Sequence, residues 1–467
     1  MKLNPEQKKA ANCDIAKHVK VVAGAGTGKT RVLVARAVRL ATFHKVHLRE
    51  IRLVAFTKAA SKVMNKRIEK ALGLGSSRVA TTFHSFCMRI LKNCPQSKFV
   101  KFTIINDKEQ LSLIKSCLRK IDPKSSNKAT GAVEVMSKAR LNQMCPVQAL
   151  KDRYRFDSKQ AEQLVKLYAT AKRKKLKFDY CDMLLEADNL LNNKNAAKWV
   201  VDYCRYLLID EAQDLNAPQW SIVNRLIASG SKVFCVGDPA QAIFEFGGAV
   251  VEKFIAFDSR YVGTQVHHLS KNYRSSPEVV EFSNWYRKRV NNQLNCVITT
   301  RAPHSQPAIT DFDSLQKASI WLTNKLKIKQ LDGAKLSHIA VLIRVAKQGD
   351  VIKKAFEEAK IPIRKKGVKN GVRIITVHKA KGQEWDTCYL IDPRLVASHW
   401  GAYLNNKQTE NCLWYVAITR AKKELVICSS TSRQVAYSDA KKSDNFIIDD
   451  TPNRLFRFED NSITEQV

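Results

Sequence analysis

The sequence predicts an α/β protein with two parallel-sheet domains, the first of which is interrupted by a helical block. Short apolar runs typical of buried strands alternate with helical stretches in two series. In the first series the strand candidates are residues 19–22, 53–56, 79–82, 207–209 and 233–236. In the second series, which begins near Val266, they are residues 339–343, 372–377, 387–391 and 424–427. Between Ile90 and Tyr203 the chain carries long Lys-rich amphipathic runs with no clear strand, which predicts a helical insertion.

The last stretch of the chain differs in charge from the rest. After Ser430 it contains seven acidic and five basic residues, and we expect a tail separate from the domain before it. The predicted organisation is a first domain in two parts (1–90 and 201–264), an insertion (91–200), a second domain (265–430) and an acidic tail (431–467).

Charge is the feature of the composition that points to a partner. The 467-residue chain contains 80 Lys and Arg against 43 Asp and Glu, a formal net charge of +37. Such self-repulsion opposes a compact fold unless a polyanion offsets it, so nucleic acid is the expected partner. The insertion contributes 23 basic and 11 acidic residues between Lys92 and Lys198. A basic coat that reflects a biased genome is the alternative.

Cysteine spacing and hydropathy exclude several classes of protein. None of the twelve cysteines has a Cys-x-x-Cys neighbour, so neither a zinc ribbon nor an iron–sulfur cluster is indicated. We expect reduced thiols in the cores of an intracellular protein. The N-terminus has no signal-peptide core, and no apolar run approaches membrane-spanning length. The expected location is the cytoplasm, or the host cell if the chain is viral.

The segment Ala23-Gly24-Ala25-Gly26-Thr27-Gly28-Lys29-Thr30 lies between a strand candidate and a helical run that begins at Arg31. A glycine loop in this position predicts a phosphate cradle, because backbone N–H groups and the positive end of the helix bind phosphates. The Lys29 ammonium then reaches the outer phosphates and the Thr30 hydroxyl binds Mg²⁺. Because Ala23 stands where the usual pattern has glycine, a chance glycine-rich turn is the alternative.

A second candidate site follows the apolar run 206–209, which ends in Asp210 and Glu211. Parallel sheets present functional carboxylates at the carboxyl ends of their strands. Asp210 is expected to hold Mg²⁺ through water, and Glu211 to orient the attacking water or accept its proton. A surface Asp-Glu pair is the alternative, although Gln213 and Asp214 directly behind it favour a nucleotide site.

Further motifs follow in order along the chain. They are Leu3-Asn4-Pro5-Glu6-Gln7, Ala55-Phe56-Thr57-Lys58-Ala59-Ala60, Thr82-Phe83-His84-Ser85-Phe86, Val236-Gly237-Asp238-Pro239-Ala240-Gln241-Ala242-Ile243-Phe244, Asn272-Tyr273-Arg274-Ser275, Thr376-Val377-His378-Lys379-Ala380-Lys381-Gly382-Gln383-Glu384 and Tyr415-Val416-Ala417-Ile418-Thr419-Arg420-Ala421. With this series, from Leu3 to about Ile427, the chain resembles the UvrD/Rep/PcrA family of superfamily 1 DNA helicases and their eukaryotic F-box DNA helicase relatives. The resemblance implies two RecA-like P-loop ATPase domains that face a cleft, with the helical insertion in the first.

For the nucleoside of ATP, the resemblance implies four contacts. Gln7 reads the adenine edge, because an amide can donate and accept together. Arg31 and Tyr273 sandwich the adenine, and Glu384 contacts the ribose. A capping-box role is the alternative for Gln7, and a surface Arg and a core Tyr are the alternatives for the sandwich.

For the phosphates, the resemblance implies that Gln241 senses the γ-phosphate. Arg274 and Arg420 match the two arginine fingers of the family, which supply positive charge as the γ-phosphate bond loosens. An ordinary surface cap is the alternative for Arg274.

For DNA, the resemblance implies that aromatic rings stack on bases while polar groups hold the backbone. The stacking candidates are Phe56, Phe244 and Phe246, and the backbone candidates are Thr57, His84 and His378. All three phenylalanines could instead be core residues; Phe244 is the favoured candidate.

The sequence departs from the family pattern at two places. After the motif that contains Gln241, the family usually has the sequence aromatic-Arg-Gly-Ala, and Gly247 replaces that arginine here. We therefore expect the coupling between ATP hydrolysis and DNA binding to differ from that of the family. Residues 363–371 lead directly into Val372, where the family inserts a second accessory domain. That domain is therefore expected to be missing, and the tail is too short for a nuclease domain.

The sequence thus predicts an ATP- and Mg²⁺-dependent helicase or translocase that moves 3′ to 5′ on single-stranded DNA and at single-strand/duplex junctions. We expect a monomer acting in replication, recombination or repair. The alternatives are a translocase that strips proteins from DNA and unwinds poorly, and a DNA-binding accessory protein with an ATPase switch. The acidic tail is either a docking peptide for a protein partner or a solvated segment. It contains the apolar residues Phe446, Ile447, Ile448, Leu455, Phe456 and Phe458.

Overall fold

The computed structural model describes residues 2–154, 156–365, 367–391, 395–397, 407–430, 440–442, 451–459 and 461. The chain forms two compact units. The first comprises Met1–Val22, Lys29–Gly237 and Phe244–His267, and the second comprises Ala23–Gly28, Asp238–Ile243 and His268–Val467. The glycine loop is therefore grouped with the second unit, although the strand before it and the helix after it belong to the first.

Helices and strands alternate over much of the described chain, except in the helical insertion. The helices are α1 (Pro5–Ala11), α2 (Lys29–Thr42), α3 (Lys58–Leu72), α4 (Phe83–Asn93), α5 (Asp107–Ile121), α6 (Ala129–Leu141), α7 (Pro146–Tyr154), α8 (Ser158–Lys174), α9 (Tyr180–Leu190), α10 (Lys194–Asp202), α11 (Ala217–Ala228), α12 (Val251–Ile255), α13 (Phe257–Arg260), α14 (Pro277–Val290), α15 (Leu315–Leu331), α16 (Ala346–Glu358), α17 (Val377–Ala380) and α18 (Lys407–Ile418). The strands are β1 (Val19–Ala23), β2 (Ile51–Ala55), β3 (Ala80–Thr82), β4 (Thr103–Ile104), β5 (Lys177–Phe178), β6 (Tyr206–Ile209), β7 (Lys232–Gly237), β8 (Gln265–Leu269), β9 (Lys271–Asn272), β10 (Ile298–Thr299), β11 (Ala308–Phe312), β12 (Ile339–Ile343), β13 (Arg373–Thr376), β14 (Trp385–Ile391), β15 (Leu395–Ala397), β16 (Ala421–Ser430), β17 (Ala440–Lys442) and β18 (Arg457–Phe458).

The first sheet has six strands in the order β3-β2-β6-β7-β1-β8. The pairings from β3 through β1 are parallel, in registers such as Leu53 opposite Leu208 and Val21 opposite Val236. Strands β2 and β6 are buried along their whole length, as strands covered on both faces require. Parallel pairing brings the carboxyl ends of β1, β2 and β6 to one edge, where the predicted site residues begin.

The second sheet also has six strands, in the order β13-β12-β14-β16-β11-β18, and its neighbouring strands are parallel. Its core contains apolar residues of the strands packed against α15 and α16, including Trp321, Phe356 and Tyr389. The predicted fold class, α/β with two parallel-sheet domains, is therefore confirmed.

The helical insertion has a core of its own. This core runs from Ile105 to Tyr168 and draws on α5, α6, α7 and α8. Residues from Phe178 to Val200, which the sequence assigned to the insertion, pack instead with α4 and the first sheet. The expectation of no strand in this region is wrong at one point, because β4 pairs in parallel with β5 over two residues.

The acidic tail departs from the prediction of a separate segment. Strand β18 pairs with β11, with Ala308 opposite Arg457, and Leu455 and Phe456 are buried. The prediction is therefore wrong for residues 453–458, which belong to the second sheet and its packing. Phe446, Ile447 and Ile448 lie outside the described residues.

The connection from α16 to β13 is short. Within it Ile363 bridges Val372, and the Arg364 N–H donates to the Val372 carbonyl at 2.9 Å. The second accessory domain that the family inserts here is therefore missing from this connection, as the sequence predicts.

The other expectations concern cysteines and membranes. Ten of the twelve cysteines are buried, and Cys145 and Cys296 are exposed. In the part of the chain that the structure describes, no helix has the length and apolar character needed to cross a bilayer.

Candidate ATPase and DNA-binding site

The glycine loop adopts a backbone that favours glycine. Gly26 and Gly28 have φ of +73° and +88°, in the left-handed region where L side chains are strained. The Thr27 hydroxyl donates to the Gly24 carbonyl at 2.8 Å and closes the loop on itself. Positive φ at these glycines is the backbone conformation that loops use to form anion-binding concavities.

Within the second unit, residues of two sequence motifs hold the loop. The Asn272 amide donates to the Ala25 carbonyl at 2.8 Å, and the Tyr273 N–H donates to the Gly26 carbonyl at 2.9 Å. The Ala25 N–H in turn donates to the Tyr415 hydroxyl oxygen at 3.1 Å. The loop backbone is therefore positioned by hydrogen bonds from residues far along the chain.

In the first unit, α2 and the end of β6 bring together the predicted hydrolysis residues. The Lys29 Nζ lies 3.1 Å from Glu211 Oε2, and Gln213 Nε2 donates to the same oxygen at 2.7 Å. Glu211 has φ of +50°, which is uncommon for a residue with a side chain and is found at functional sites. The Glu211 carboxylate is thus fixed by two donors on a strained turn.

Asp210 lies beside Glu211, and its N–H donates to the Val54 carbonyl of β2 at 2.9 Å. Burial and the neighbouring Glu211 carboxylate raise the pKa of Asp210 to about 7. A divalent cation would supply the positive charge that favours the carboxylate. The donors at hand, the Asp210 carboxylate and the Thr30 hydroxyl, are the hard oxygen ligands that suit Mg²⁺.

The described residues contain no cluster of three or more His, Cys, Asp or Glu side chains able to enclose a metal. A cation at Asp210 and Thr30 would therefore complete its coordination with waters and nucleotide phosphates, which is usual for Mg²⁺. The residues present fit that ion.

Gln241, the predicted γ-phosphate sensor, is buried in the second unit. The side-chain Nε2 of Gln241 donates to Asp238 Oδ2 at 2.7 Å. The backbone carbonyl of Gln241 accepts from Lys381 Nζ at 2.5 Å. Its side chain is therefore oriented by Asp238, a residue to which the sequence analysis gave no role.

The two predicted arginine fingers have different surroundings. Arg274 donates through Nε to Glu384 Oε2 at 2.6 Å and through Nη1 to the Thr419 carbonyl at 3.0 Å. Burial opposes the ionisation of Glu384, but Arg274 and Lys422 lower its pKa overall. Arg274 and Glu384, predicted to contact phosphate and ribose, thus lie together.

Arg420 is 1% exposed and donates to three groups of the protein. They are the Val416 carbonyl at 2.9 Å, the Gln383 carbonyl at 3.1 Å and the Thr419 hydroxyl at 3.0 Å. These contacts position the segment that bears Glu384, and the finger role of Arg420 stays a prediction.

The adenine candidates lie on separate elements. Gln7 is buried and forms a capping box with Asn4, in which the Gln7 N–H donates to Asn4 Oδ1 at 2.7 Å and Gln7 Oε1 accepts from the Asn4 N–H at 3.1 Å. The capping role is therefore present, and an adenine contact would use the Nε2 end of the amide. Arg31 is exposed in the first turn of α2, and Tyr273 is half-buried in the second unit. These three roles stay predictions.

Two DNA-stacking candidates of the first unit lie together. Phe56 follows the end of β2 and is 47% exposed, and its ring stacks on Phe244 with centroids 5.1 Å apart and an interplanar angle of 28°. Thr57 is the N-cap of α3, and its Oγ1 accepts from the Ala60 N–H at 3.1 Å. Its contact with the DNA backbone stays a prediction. Phe246 belongs to the 3-10 turn Glu245–Gly247, and its side chain lies outside the described residues.

The two predicted histidines differ in surroundings but share a lowered pKa. Burial lowers the pKa of His84, whose ring meets Tyr180 edge-on with centroids 5.2 Å apart. Burial, Arg344 and Lys381 lower the pKa of His378 to about 3. Both imidazoles are therefore neutral at pH 7 and can meet a phosphate as hydrogen-bond donors. Tyr180 is 51% exposed beside His84, a placement that the sequence does not indicate.

Comparison with known proteins agrees with this site. The family model of the UvrD/REP helicase N-terminal domain matches residues 3–262, and that of the UvrD-like helicase C-terminal domain matches residues 267–370 and 363–432. A probable DNA helicase of Mycoplasma pneumoniae is 28% identical over 91% of this chain and 83% of its own length.

Two further relatives are longer than this chain. A probable DNA helicase II homolog of Mycoplasma capricolum is 27% identical over 76% of this chain and 51% of its own length. The ATP-dependent DNA helicase PcrA of Staphylococcus epidermidis is 28% identical over 73% of this chain and 48% of its own length. The matched region spans about half of these two relatives.

Two parallel sheets that carry this ordered motif set define the class of ATP-dependent DNA helicases. The chain belongs to the UvrD/Rep helicase family. The predicted family and enzyme class are confirmed, whereas the predicted roles of individual site residues stay predictions.

Proposed function

We propose that the protein is a motor that uses Mg²⁺ and ATP to move 3′ to 5′ along single-stranded DNA and to act at single-strand/duplex junctions. The observation that carries this proposal is the Lys29–Glu211 pair, 3.1 Å apart, beside the buried Asp210 at the carboxyl end of β6. An ammonium, a catalytic carboxylate and a metal-holding carboxylate are the groups that phosphoryl transfer requires.

In the proposed reaction, the Lys29 ammonium exchanges its contact with Glu211 for the outer phosphates of ATP. The Glu211 carboxylate, released from the ammonium and still held by Gln213, orients a water and accepts its proton. The Thr30 hydroxyl and Asp210 would hold Mg²⁺, which would supply positive charge to offset the charge on the phosphates. Arg274 adds positive charge to the γ-phosphate as its bond loosens.

DNA binding is proposed to use stacking and charge. The exposed face of Phe56, stacked on Phe244, offers a platform for a base, and every base has a π-face, so binding tolerates any sequence. The neutral His84 and His378 donate to the backbone, and the net charge of +37 adds affinity that depends on salt. We propose a monomer located in the cytoplasm and engaged in DNA replication, recombination or repair.

A second candidate function is a translocase that strips proteins from DNA and unwinds poorly. The short connection between α16 and β13 favours it, because a family domain linked to duplex engagement is missing there. A DNA-binding accessory protein with an ATPase switch is a third candidate, and it predicts a single turnover rather than sustained hydrolysis.

ATP turnover with and without single-stranded DNA tests the proposal, with Lys29→Ala as the matched control. We expect sustained turnover that DNA stimulates in the wild type, and salt-sensitive DNA binding without turnover in Lys29→Ala. Unwinding of a 3′-tailed duplex, compared with displacement of a protein bound to single-stranded DNA, separates the first two candidates. Undiminished turnover in Lys29→Ala would refute the site assignment.

A further inference from the structure

A buried arginine outside the sequence motifs connects two parts of the nucleotide site. Arg287 lies on α14 and is 2% exposed. Long charged side chains are almost never buried this fully unless they are paired, because an unpaired buried charge is costly. The partners of Arg287 therefore indicate what the side chain is for.

The first partner is Asp238, which is fully buried. Arg287 Nη1 donates to Asp238 Oδ1 at 2.5 Å, and the other carboxylate oxygen accepts from Gln241 Nε2 at 2.7 Å. Asp238 thus lies between the Arg287 guanidinium and the amide of the predicted γ-phosphate sensor. Without Arg287, the carboxylate would be buried with its charge uncompensated, and its hold on Gln241 would change.

The second partner is Tyr415, which is also fully buried. Its hydroxyl oxygen accepts from Arg287 Nη1 at 3.2 Å and from the Ala25 N–H at 3.1 Å. Burial and Asp238 raise the pKa of Tyr415 to about 12, so the phenol stays neutral at physiological pH. A third contact, from Arg287 Nε to the Asn295 carbonyl at 2.9 Å, fixes the plane of the guanidinium.

We propose that Arg287 is a positioning residue of the nucleotide site, which ties the γ-phosphate sensor Gln241 to the phosphate loop through Asp238 and Tyr415. The inference rests on the proposed ATPase function and adds to it a residue that acts without touching ATP. The connected path is Gln241, Asp238, Arg287, Tyr415 and Ala25, and all five residues belong to the second unit.

A purely stabilising ion pair is the rival explanation, and it makes a different prediction. Loss of a stabilising pair lowers the amount of folded protein but leaves kcat per folded molecule and nucleotide affinity unchanged. Loss of a positioning residue changes both in the folded protein, because the amide at one end and the loop N–H at the other shift relative to the phosphates.

The test uses the full-length chain with three substitutions: Arg287→Lys, Arg287→Met and Tyr415→Phe. The measurements are kcat and KM for ATP, the dissociation constant of a fluorescent ATP analogue and the melting temperature. We expect Arg287→Lys, which keeps the charge but loses the planar fork, to lower kcat about tenfold in a folded protein. Arg287→Met should lower it further, so that lysine partly rescues methionine.

Tyr415→Phe removes a single oxygen and keeps the ring, so it remains informative if Arg287→Met fails to fold. It should weaken binding of the ATP analogue about three- to tenfold, since the loop N–H loses its acceptor. In the double variant Arg287→Lys/Tyr415→Phe, we expect kcat and nucleotide affinity to fall by less than the product of the two single effects. The reason is that both substitutions break the same path.

Arg225→Lys is the matched control, because Arg225 Nε donates to Asp188 Oδ1 at 2.7 Å in another Arg–Asp pair, which joins α9 and α11. It should leave kcat and nucleotide affinity unchanged. Wild-type values for Arg287→Lys and Tyr415→Phe in an active enzyme would overturn this inference alone. A wild-type protein that neither binds nor hydrolyses ATP would overturn the proposed function, and this inference with it.

Discussion

At the scale of single residues, Glu211 is constrained through both its backbone and its carboxylate. It has a left-handed backbone and receives Lys29 and Gln213 on one carboxylate oxygen. Glu211→Gln should keep ATP binding but slow hydrolysis by a factor on the order of a hundred or more, because the amide cannot accept the proton of the attacking water. Single-turnover hydrolysis and nucleotide binding measure the two effects. A proportional loss of both would instead assign Glu211 to phosphate binding.

The lowered pKa of His378 makes a prediction about acid stability. The imidazole is neutral in the folded protein down to about pH 3, whereas it is protonated below about pH 6.5 when the chain unfolds. Its contribution to stability is therefore lost progressively as pH falls from about 6.5 towards 3. His378→Asn should reduce the loss of unfolding free energy between pH 7 and pH 5 by on the order of 1 kcal/mol.

Chemical unfolding at the two pH values measures this difference. His304→Asn, at an exposed position of the same unit, is the control and should behave as the wild type. An unchanged pH dependence in His378→Asn would show that the imidazole is not held neutral by burial beside Arg344 and Lys381.

The sequence indicates candidate site residues where a motif carries the chemistry. Lys29, Asp210 and Glu211 follow from the phosphate loop and the strand-end carboxylates, and the structure brings Lys29 and Glu211 together. The sequence could not indicate Arg287. A lone arginine on an amphipathic helix has the same sequence pattern whether its side chain faces solvent or a buried carboxylate. Its role depends on tertiary contacts with Asp238 and Tyr415.

At the scale of secondary structure elements, the turn after Phe244 carries the clearest departure from the family. A Cβ at Gly247 would meet no atom within 4 Å, so the backbone leaves open space for a side chain to begin there. Gly247→Arg should tighten binding to single-stranded DNA. It should also make the DNA affinity more sensitive to salt concentration, by the amount expected for about one additional phosphate contact.

Gly247→Ala separates the effect of the guanidinium from that of the backbone and should bind as the wild type does. DNA binding measured over a range of salt concentrations gives both results. If Gly247→Arg binds DNA with unchanged affinity and salt dependence, this turn does not approach the DNA.

The strands that the sequence predicts are those marked by a short apolar run. All nine strand candidates have a counterpart in the two sheets, because buried parallel strands have continuous apolar runs. Strands β8, β11 and β18 of these sheets were missed. Strand β8 contains Gln265 and two histidines, β11 is interrupted by Thr310 and Asp311, and β18 is two residues long within an acidic stretch, so none of them produces a distinct apolar run.

The packing of β18 changes the expectation for the tail. Deleting all residues after Ser430 removes the buried Leu455 and Phe456 and the Glu459 partner of Lys325, which lies 2.7 Å away. We expect the second unit to lose several kcal/mol of stability, since burial of each large apolar side chain contributes about 1.5–3 kcal/mol.

Thermal unfolding of the truncated chain measures this loss, and a chain that ends after Asn461 is the control that keeps β18. An unchanged melting temperature after the longer deletion would show that the tail is a separate segment, as its composition alone suggested. In the structure Leu455 and Phe456 are covered by the second unit, so we do not expect them to bind a partner.

At the scale of the whole molecule, the charge of the chain and its two parallel sheets both agree with a DNA helicase. A net charge of +37 favours a polyanion, and the ordered motifs place an ATP site and a DNA-binding surface in the same chain. The sequence predicts this organisation because most of the motifs follow a strand. The sequence does not determine which residues pack with which part of the fold, as residues Phe178 to Val200 show. The spacing of apolar residues is the same in a helix of the insertion and in a helix that covers a sheet.

Displacement of streptavidin from biotinylated single-stranded DNA tests ATP-driven movement in the 3′-to-5′ direction, because that assay requires no unwinding. We expect wild-type protein with Mg²⁺ and ATP to clear streptavidin from the 5′ end much faster than from the 3′ end. Lys29→Ala should clear neither end. Faster clearance from the 3′ end would show that the protein moves in the opposite direction, and clearance without ATP would show that movement is not driven by ATP.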